Sequence, residues 1–349
     1  MKKIINKTLL FAINKAKKSK LIQSLFEAPI EVNSFTKFGE FIDYTGYKHI
    51  LYRELRSKIK PDWENMFKKQ EDAAESANYY LKVVAEGRIV AGRIVPIIRT
   101  YSDLLQNGRI LEVGCHLGQV SFALAEMGAA EVTATDFIEY KVNATEPEFK
   151  KSKADKVDAV LNLKRKKTGS AFKDNEKVKF TNDDIAHSAM PSDYFDIVCS
   201  FNVLEHIGSP DKAFRHIYRV LKKGGISIHE YNPFFSLNGG HSPCTLDFLW
   251  GHVRLSTGDF ERYIKMIRPA ETELSLSFYK EGLNRMTLSD IETYTQKAGL
   301  KILAIIPFCK EQHLRMLNSD IIEQCQANYK KCTITDLISP KVIVVLQKK

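Results

Sequence analysis

The chain has 349 residues, 44% hydrophobic and 27% charged, which suits one large soluble domain or two modest ones. It excludes a disordered polymer, a collagen-like repeat and a cysteine-stapled miniprotein. The formal net charge is +10, with the excess concentrated in residues 1–105 and in the stretch from Tyr140 to Phe180; such a surface attracts nucleic acid, anionic headgroups or phosphorylated substrates and says nothing of fold.

No run approaches the roughly 18 to 20 consecutive apolar residues of a membrane span, and the apolar run Thr8 to Ile13 is too short for a signal-peptide core. A cytoplasmic protein is expected. Met1 to Phe26 alternates Lys with Leu, Ile and Phe, so Ile4, Leu9, Leu10 and Phe11 give this basic segment the makings of a peripheral membrane contact, although a helix packed on its own protein is the simpler reading. The six cysteines fall singly, with no CxxC pair, and read as reduced core thiols.

Residues 1–105 read mainly as helices and loops, forming part of a lid. Pro61 and Asp62 open a helical stretch through Trp63, Met66, Ala73 and Tyr80, and Pro96 opens another through Ile97, Tyr101 and Leu105. From about residue 106 to the end, short apolar runs alternate with helical periods. Strands are expected at Ile110–Val113, Glu131–Thr135, Val178–Thr181, Phe195–Ser200, Ile226–Tyr231, Leu300–Phe308 and Val342–Leu346. Helices lie between, one opened by Ser209-Pro210-Asp211 and closed at Gly224, another spanning Leu288 to Ala298 and closed at Gly299. This alternation predicts an α/β, doubly wound, mostly parallel sheet of seven strands. Two insertions interrupt it, a basic one at about 141–179 with the charge block Lys164 to Lys167, and a Gly- and aromatic-rich one at about 233–284 that is expected to cover or line a site.

The strongest local signal is Arg109-Ile-Leu-Glu-Val-Gly-Cys-His-Leu-Gly118, a strand entering a tight turn ahead of a helix through Val120, Phe122 and Leu124. Gly114 and Gly118 let the backbone approach a ligand, and the free amides of the next helix favour electron-rich groups. A dinucleotide fingerprint wants glycine at 114, 116 and 119, where this chain has Gly114, His116 and Gln119, so NAD is disfavoured.

What remains, Glu112-x-Gly114-x-x-x-Gly118, resembles the first motif of the class I S-adenosylmethionine-dependent methyltransferases, with His116 in place of their middle glycine. Asp136, ending the second strand, Asn182-Asp183-Asp184-Ile185 after the third, Phe195 to Ile207 around the fourth and Leu221-Lys-Lys-Gly-Gly225 before the fifth follow in that family's order. The resemblance implies S-adenosylmethionine as cofactor. Glu112, Gly114, Cys115, His116 and Gly118 would surround the turn, Asp136 with Phe137 would meet the ribose diol, and Asp183, Asp184 and Ile185 would face adenine, with Ser200 and Asn202 nearby.

In this architecture ligands gather beyond the carboxyl ends of the strands, so acceptor groups are sought after strands four and five. His241 is the first candidate for a base, with Glu230 and His252 as rivals and His206 as a further candidate against a packing role. Tyr231, Asn232, His252 and Arg254 are expected to bind substrate. His241, His252 and Asp247 match no standard metal spacing, so no metal is expected. The Gly-Gly-His241 and Trp250-Gly-His-Val-Arg-Leu255 passages resemble bacterial methyltransferases that modify sugars and cell-surface glycans, which implies O-methylation of a sugar or glycan hydroxyl. Two other readings stand beside it. An RNA methyltransferase fits the charge but lacks stacking aromatics in the Lys164 to Lys167 block, and a non-catalytic scaffold would have no chemical need of Glu112, Gly114, Gly118 and Asp136 together. The oligomeric state is left open.

Overall fold

The structure, a computed structural model, describes residues 30–61, 63–67, 77–137 and 151–349. The amphipathic opening segment and the first part of the basic insertion lie outside these residues.

Two strands, β1 (Lys37–Ile42) and β2 (Lys48–Tyr52), pair antiparallel. The main sheet holds β3 (Arg109–Val113), β4 (Glu131–Asp136), β5 (Val178–Asn182), β6 (Phe195–Phe201), β7 (Leu221–Tyr231), β8 (Leu300–Pro307) and β9 (Val342–Lys348) in the order β5-β4-β3-β6-β7-β9-β8. Pairing is parallel from β5 through β7, and β9 runs antiparallel to both neighbours. The order reverses between β3 and β6, and the crevice beyond their carboxyl ends is where such sheets hold ligands.

The inner strands are apolar on both sides because helices cover both. Numbering the helices of eight residues or more, α1 (Ala77–Tyr101) and α2 (Gln119–Glu126) cover one face. Ala91, Ile94, Val95 and Ile98 of α1 and Val120, Ala123 and Leu124 of α2 meet Ile110, Ile197, Ile226 and Val345 there. The next residue along each strand points the other way, so Leu111, Val198 and Val344 meet Phe214 and Ile217 of α4 (Pro210–Val220) and Ile291 of α7 (Leu288–Ala298). Between these lie α3 (Lys151–Gly169), α5 (Thr257–Ile267) and α6 (Thr272–Glu281), and α8 (Ser319–Asn328) follows β8.

A second core gathers Phe41 and Leu51 of the hairpin, Phe234, Trp250, Tyr263, Ile264 and Tyr279 of the 233–284 insertion, and Ile321, Cys325 and Leu337. Arg56 ties it together, with both terminal nitrogens donating to the Glu271 carboxylate at 2.8 Å and the guanidinium 3.5 Å above the Trp63 ring.

Three expectations change. Residues 37–52 form a hairpin rather than helix and loop: Phe41, His49 and Leu51 alternate inward, and Asp43 Oδ1 accepts from the amides of Thr45 and Tyr47 around Gly46 at φ 85°. Pro96 does not open a helix but sits inside α1; burial of that helix's apolar stripe outweighs the loss of one N–H bond, about 3 kcal/mol. The helix expected to close at Gly224 ends at Val220, and β7 begins at Leu221.

Candidate active site

The turn after β3 is forced by its sequence. Gly114 and Gly118 both have φ 73°, and a Cβ at Gly114 would lie 2.4 Å from Val203 Cγ2 while one at Gly118 would lie 2.5 Å from Phe180 Cζ. His116 is also left-handed, at φ 50°, so the position where the family resemblance calls for glycine keeps glycine geometry without the residue. Such strain in a non-glycine residue costs about 1–2 kcal/mol. Cys115 N donates to Thr135 O at 2.8 Å, anchoring the turn to the end of β4. Glu112 lies behind the turn, where Ser121 Oγ donates to its Oε2 and stitches β3 to α2. Burial, helped by the charge of Asp136, pushes its carboxyl up to about 7.

In front of the turn opens a cavity of about 490 Å³, within the roughly 300–1,000 Å³ of small-molecule sites. Of the residues read from sequence as cofactor contacts, Gly114, His116, Asp136, Phe137, Asp183, Asp184, Ile185 and Asn202 line it. Asp183 Oδ1 accepts from Ala189 N at 2.9 Å, while its buried Oδ2 has no partner, leaving an acceptor for a ligand donor. Asp184 is occupied by Ala186 N at 2.9 Å and His187 Nδ1 at 2.7 Å. Ser200 is away from the cavity, its hydroxyl 2.8 Å from His229 Nδ1.

Arg165 was read as part of a solvated charge block, yet it is buried behind the turn. Its Nη2 reaches Asp136 Oδ2 at 3.2 Å, its Nε donates to His116 O at 2.9 Å, and its guanidinium lies 4.6 Å from the Phe180 ring centre. Helix α3 therefore braces the acid that ends β4.

The opposite wall comes from the segment after β6 and the end of α6: Val203, His206, Ile207, Ser277, Phe278, Glu281 and Gly282. Behind His206 stand Glu205 and His241. His206 Nδ1 donates to Gly282 O at 2.6 Å. His241 Nε2 is 4.0 Å from Glu205 Oε1, and the two imidazole centres are 5.1 Å apart, each packed edge-on against Phe278. Burial raises Glu205 to about 8, lowers His206 and lowers His241 well below its ordinary value.

The remaining sequence candidates are placed elsewhere. Glu230 Oε1 meets Arg93 Nη2 at 2.7 Å and Lys341 Nζ at 3.1 Å. Tyr231 is buried among apolar side chains, and Asn232 Nδ2 donates to Asn202 Oδ1 at 2.9 Å. His252 Nε2 bonds Phe234 O at 2.8 Å, and Arg254 donates to Gln324 Oε1 at 2.8 Å and Leu249 O at 3.0 Å, both within the second core. His241 is one layer behind the wall rather than on it. Sequence reasoning missed Arg165, Ser277, Phe278 and Glu281; the first was hidden in a lysine run and the others in an ordinary helix.

A model of the methyltransferase domain family matches residues 87–305, and the chain belongs to that family, in its S-adenosylmethionine-dependent class. The ubiquinone biosynthesis O-methyltransferases of Pseudomonas savastanoi pv. phaseolicola and Pseudomonas syringae pv. syringae are each 29% identical over 173 residues, covering 48% of this chain and 61% of theirs. The chain thus spans about 61% of the length of these curated relatives. Among solved structures, an S-adenosylmethionine-dependent methyltransferase from Listeria monocytogenes is similar at TM-score 0.43 and 14% identity, covering 76% of this chain and 99% of that one. One from Mesorhizobium loti is similar at TM-score 0.42 and 14% identity, covering 72% and 96%.

S-adenosylmethionine is the cofactor of this class, and the residues present fit it: a glycine-shaped turn, an acid ending β4, and Asp183, whose buried Oδ2 has no partner, line one cavity. When bound, it supplies an electrophilic methyl group on a sulfonium.

Proposed function

We propose that this protein transfers the methyl group of S-adenosylmethionine to a hydroxyl of a small molecule, with a sugar or glycan hydroxyl as the acceptor. Gly114 and Gly118 shape the turn, Asp136 holds the ribose diol, and Asp183 Oδ2 accepts from the adenine amino group. The observation that carries the reading is that Asp183, whose buried Oδ2 has no partner, lines the same cavity as Gly114, Asp136 and His206. Transfer needs in-line approach, a hydroxyl relieved of its proton and exclusion of water. The α6 wall with Phe278 closes the acceptor end, and we assign activation of the hydroxyl to Glu205, His206 and His241. The O-methyl transfer named for the curated relatives supports a small hydroxylic acceptor.

The test is transfer of isotopically labelled methyl to a panel of nucleotide-linked sugars, lipid-linked glycans, aromatic hydroxyl compounds and RNA. Label in a sugar hydroxyl supports the reading. Label in aromatic hydroxyls alone, or in RNA alone, moves the acceptor class, and no label in any, with cofactor bound, contradicts methyl transfer to these acceptors.

A further inference from the structure

We infer that Glu205, His206 and His241 bind a divalent transition-metal ion at the acceptor end of the crevice. Its catalytic role rests on the methyl-transfer reading above; its existence does not. One potential ligand atom from each side chain lies within 4.8 Å of the other two, and no other such grouping of His, Cys, Asp and Glu is found among the described residues.

Two of the three side chains carry buried polar atoms with nothing to bond. Glu205 is fully buried, its Oε1 takes the Asn232 amide at 3.3 Å, its own amide, the Asn232 side chain and the Lys60 ammonium also act on the carboxyl, and its Oε2 has no hydrogen-bond partner. His241 Nε2 has none either. Leaving buried polar atoms unpaired is costly, and a cation between them satisfies both. His206 has the arrangement of a ligating histidine: its Nδ1–H is fixed on the Gly282 carbonyl at 2.6 Å, which places the lone pair on Nε2, and metal-bound histidines usually orient their second nitrogen in this way. Phe278, edge-on to both imidazoles, holds the rings in place.

The 4.0 Å between His241 Nε2 and Glu205 Oε1 is wider than the separation of about 3.4 Å between ligand atoms at roughly 2.1 Å from a tetrahedral ion. Two imidazoles and one carboxylate suit zinc, iron, cobalt or manganese rather than calcium, and they leave coordination positions open. His206 lines the crevice, so the open side faces the acceptor.

The ligand for those positions is an acceptor hydroxyl, best one of a vicinal pair that chelates the ion. Coordination lowers the pKa of a bound O–H. Its proton passes to solvent, the alkoxide forms the new O–CH3 bond, the S–CH3 bond breaks with its electrons staying on sulfur, and neutral S-adenosylhomocysteine leaves.

The test uses the full chain stripped with a chelator, titrated with zinc by calorimetry and with cobalt by visible absorption. Expected are one ion per chain and a cobalt spectrum distinct from the hydrated ion. Glu205→Gln and His241→Ala should each weaken zinc by about 10-fold or more while still binding S-adenosylhomocysteine, which shows that they fold. No zinc bound, or affinity unchanged in both variants, overturns the site. Should either variant fail to fold, the cobalt spectrum of the parent chain decides, and the spectrum of the hydrated ion overturns it. Metal binding without S-adenosylhomocysteine binding would sink the methyl-transfer reading and leave the site standing; the converse would do the reverse.

Discussion

At the scale of single residues, the cofactor reading turns on two carboxylates with different surroundings. Asp183 offers an unpartnered oxygen, so Asp183→Ala removes a charge-assisted hydrogen bond of about 1.5–3 kcal/mol, or at least about 10-fold in cofactor affinity. Calorimetry that finds unchanged affinity would remove Asp183 from the site. Asp136 also pairs with the buried Arg165, and its truncation to Ala would leave that guanidinium only the half-exposed Asp158 carboxylate at 3.9 Å, a destabilising change. Asp136→Asn is the cleaner probe. It should lower cofactor affinity with a much smaller loss of melting temperature, and an unchanged affinity would contradict the ribose role. The motif residues were legible in the sequence because local chemistry marks them: positive φ with no room for a Cβ calls for glycine at 114 and 118, and an acid closing an apolar strand stands out. Arg165 was not, because only the fold of α3 distinguishes it from the lysines on either side.

At the scale of elements, the β3–turn–α2 unit stores strain and a buried acid. Replacing His116, at φ 50°, with glycine should raise stability by about 1 kcal/mol; a lower melting temperature would show that the imidazole contributes more than its backbone costs. Glu112 has a folded pKa near 7, above its ordinary 4.5. The folded state therefore holds this proton more tightly than the unfolded chain, and stability falls as pH rises from about 4.5 through about 7. Glu112→Gln should remove its share of that decline, of the order of 3 kcal/mol at full ionisation. A melting profile with the same slope in the variant would contradict this. The seven strands were readable from their apolar runs, since strands buried on both faces show little else. The β1–β2 hairpin was not, because only Phe41, His49 and Leu51 point inward and its stabilising partners lie far along the chain.

At the scale of the whole molecule, an ordinary α/β sheet carries a second core assembled from the hairpin, the 233–284 insertion and the segment between β8 and β9, and the end of α6 turns from that core to wall the crevice. His252 and Arg254 looked like ligand groups in a glycine-rich loop because sequence shows their polarity and not their burial. Folded, their polar atoms bond other parts of the second core. Arg56, buried and bonded to Glu271 at 2.8 Å, joins the hairpin side of that core to the insertion, so Arg56→Ala should cost about 3–5 kcal/mol and lower the melting temperature; a shift of under a degree would contradict its bridging role. The crevice itself is tested most directly by diffraction from crystals grown with S-adenosylhomocysteine. The account predicts density beyond β3 with the ribose hydroxyls on Asp136 and the adenine amino group on Asp183 Oδ2. Density for the ligand elsewhere, or none at a saturating concentration, would contradict it.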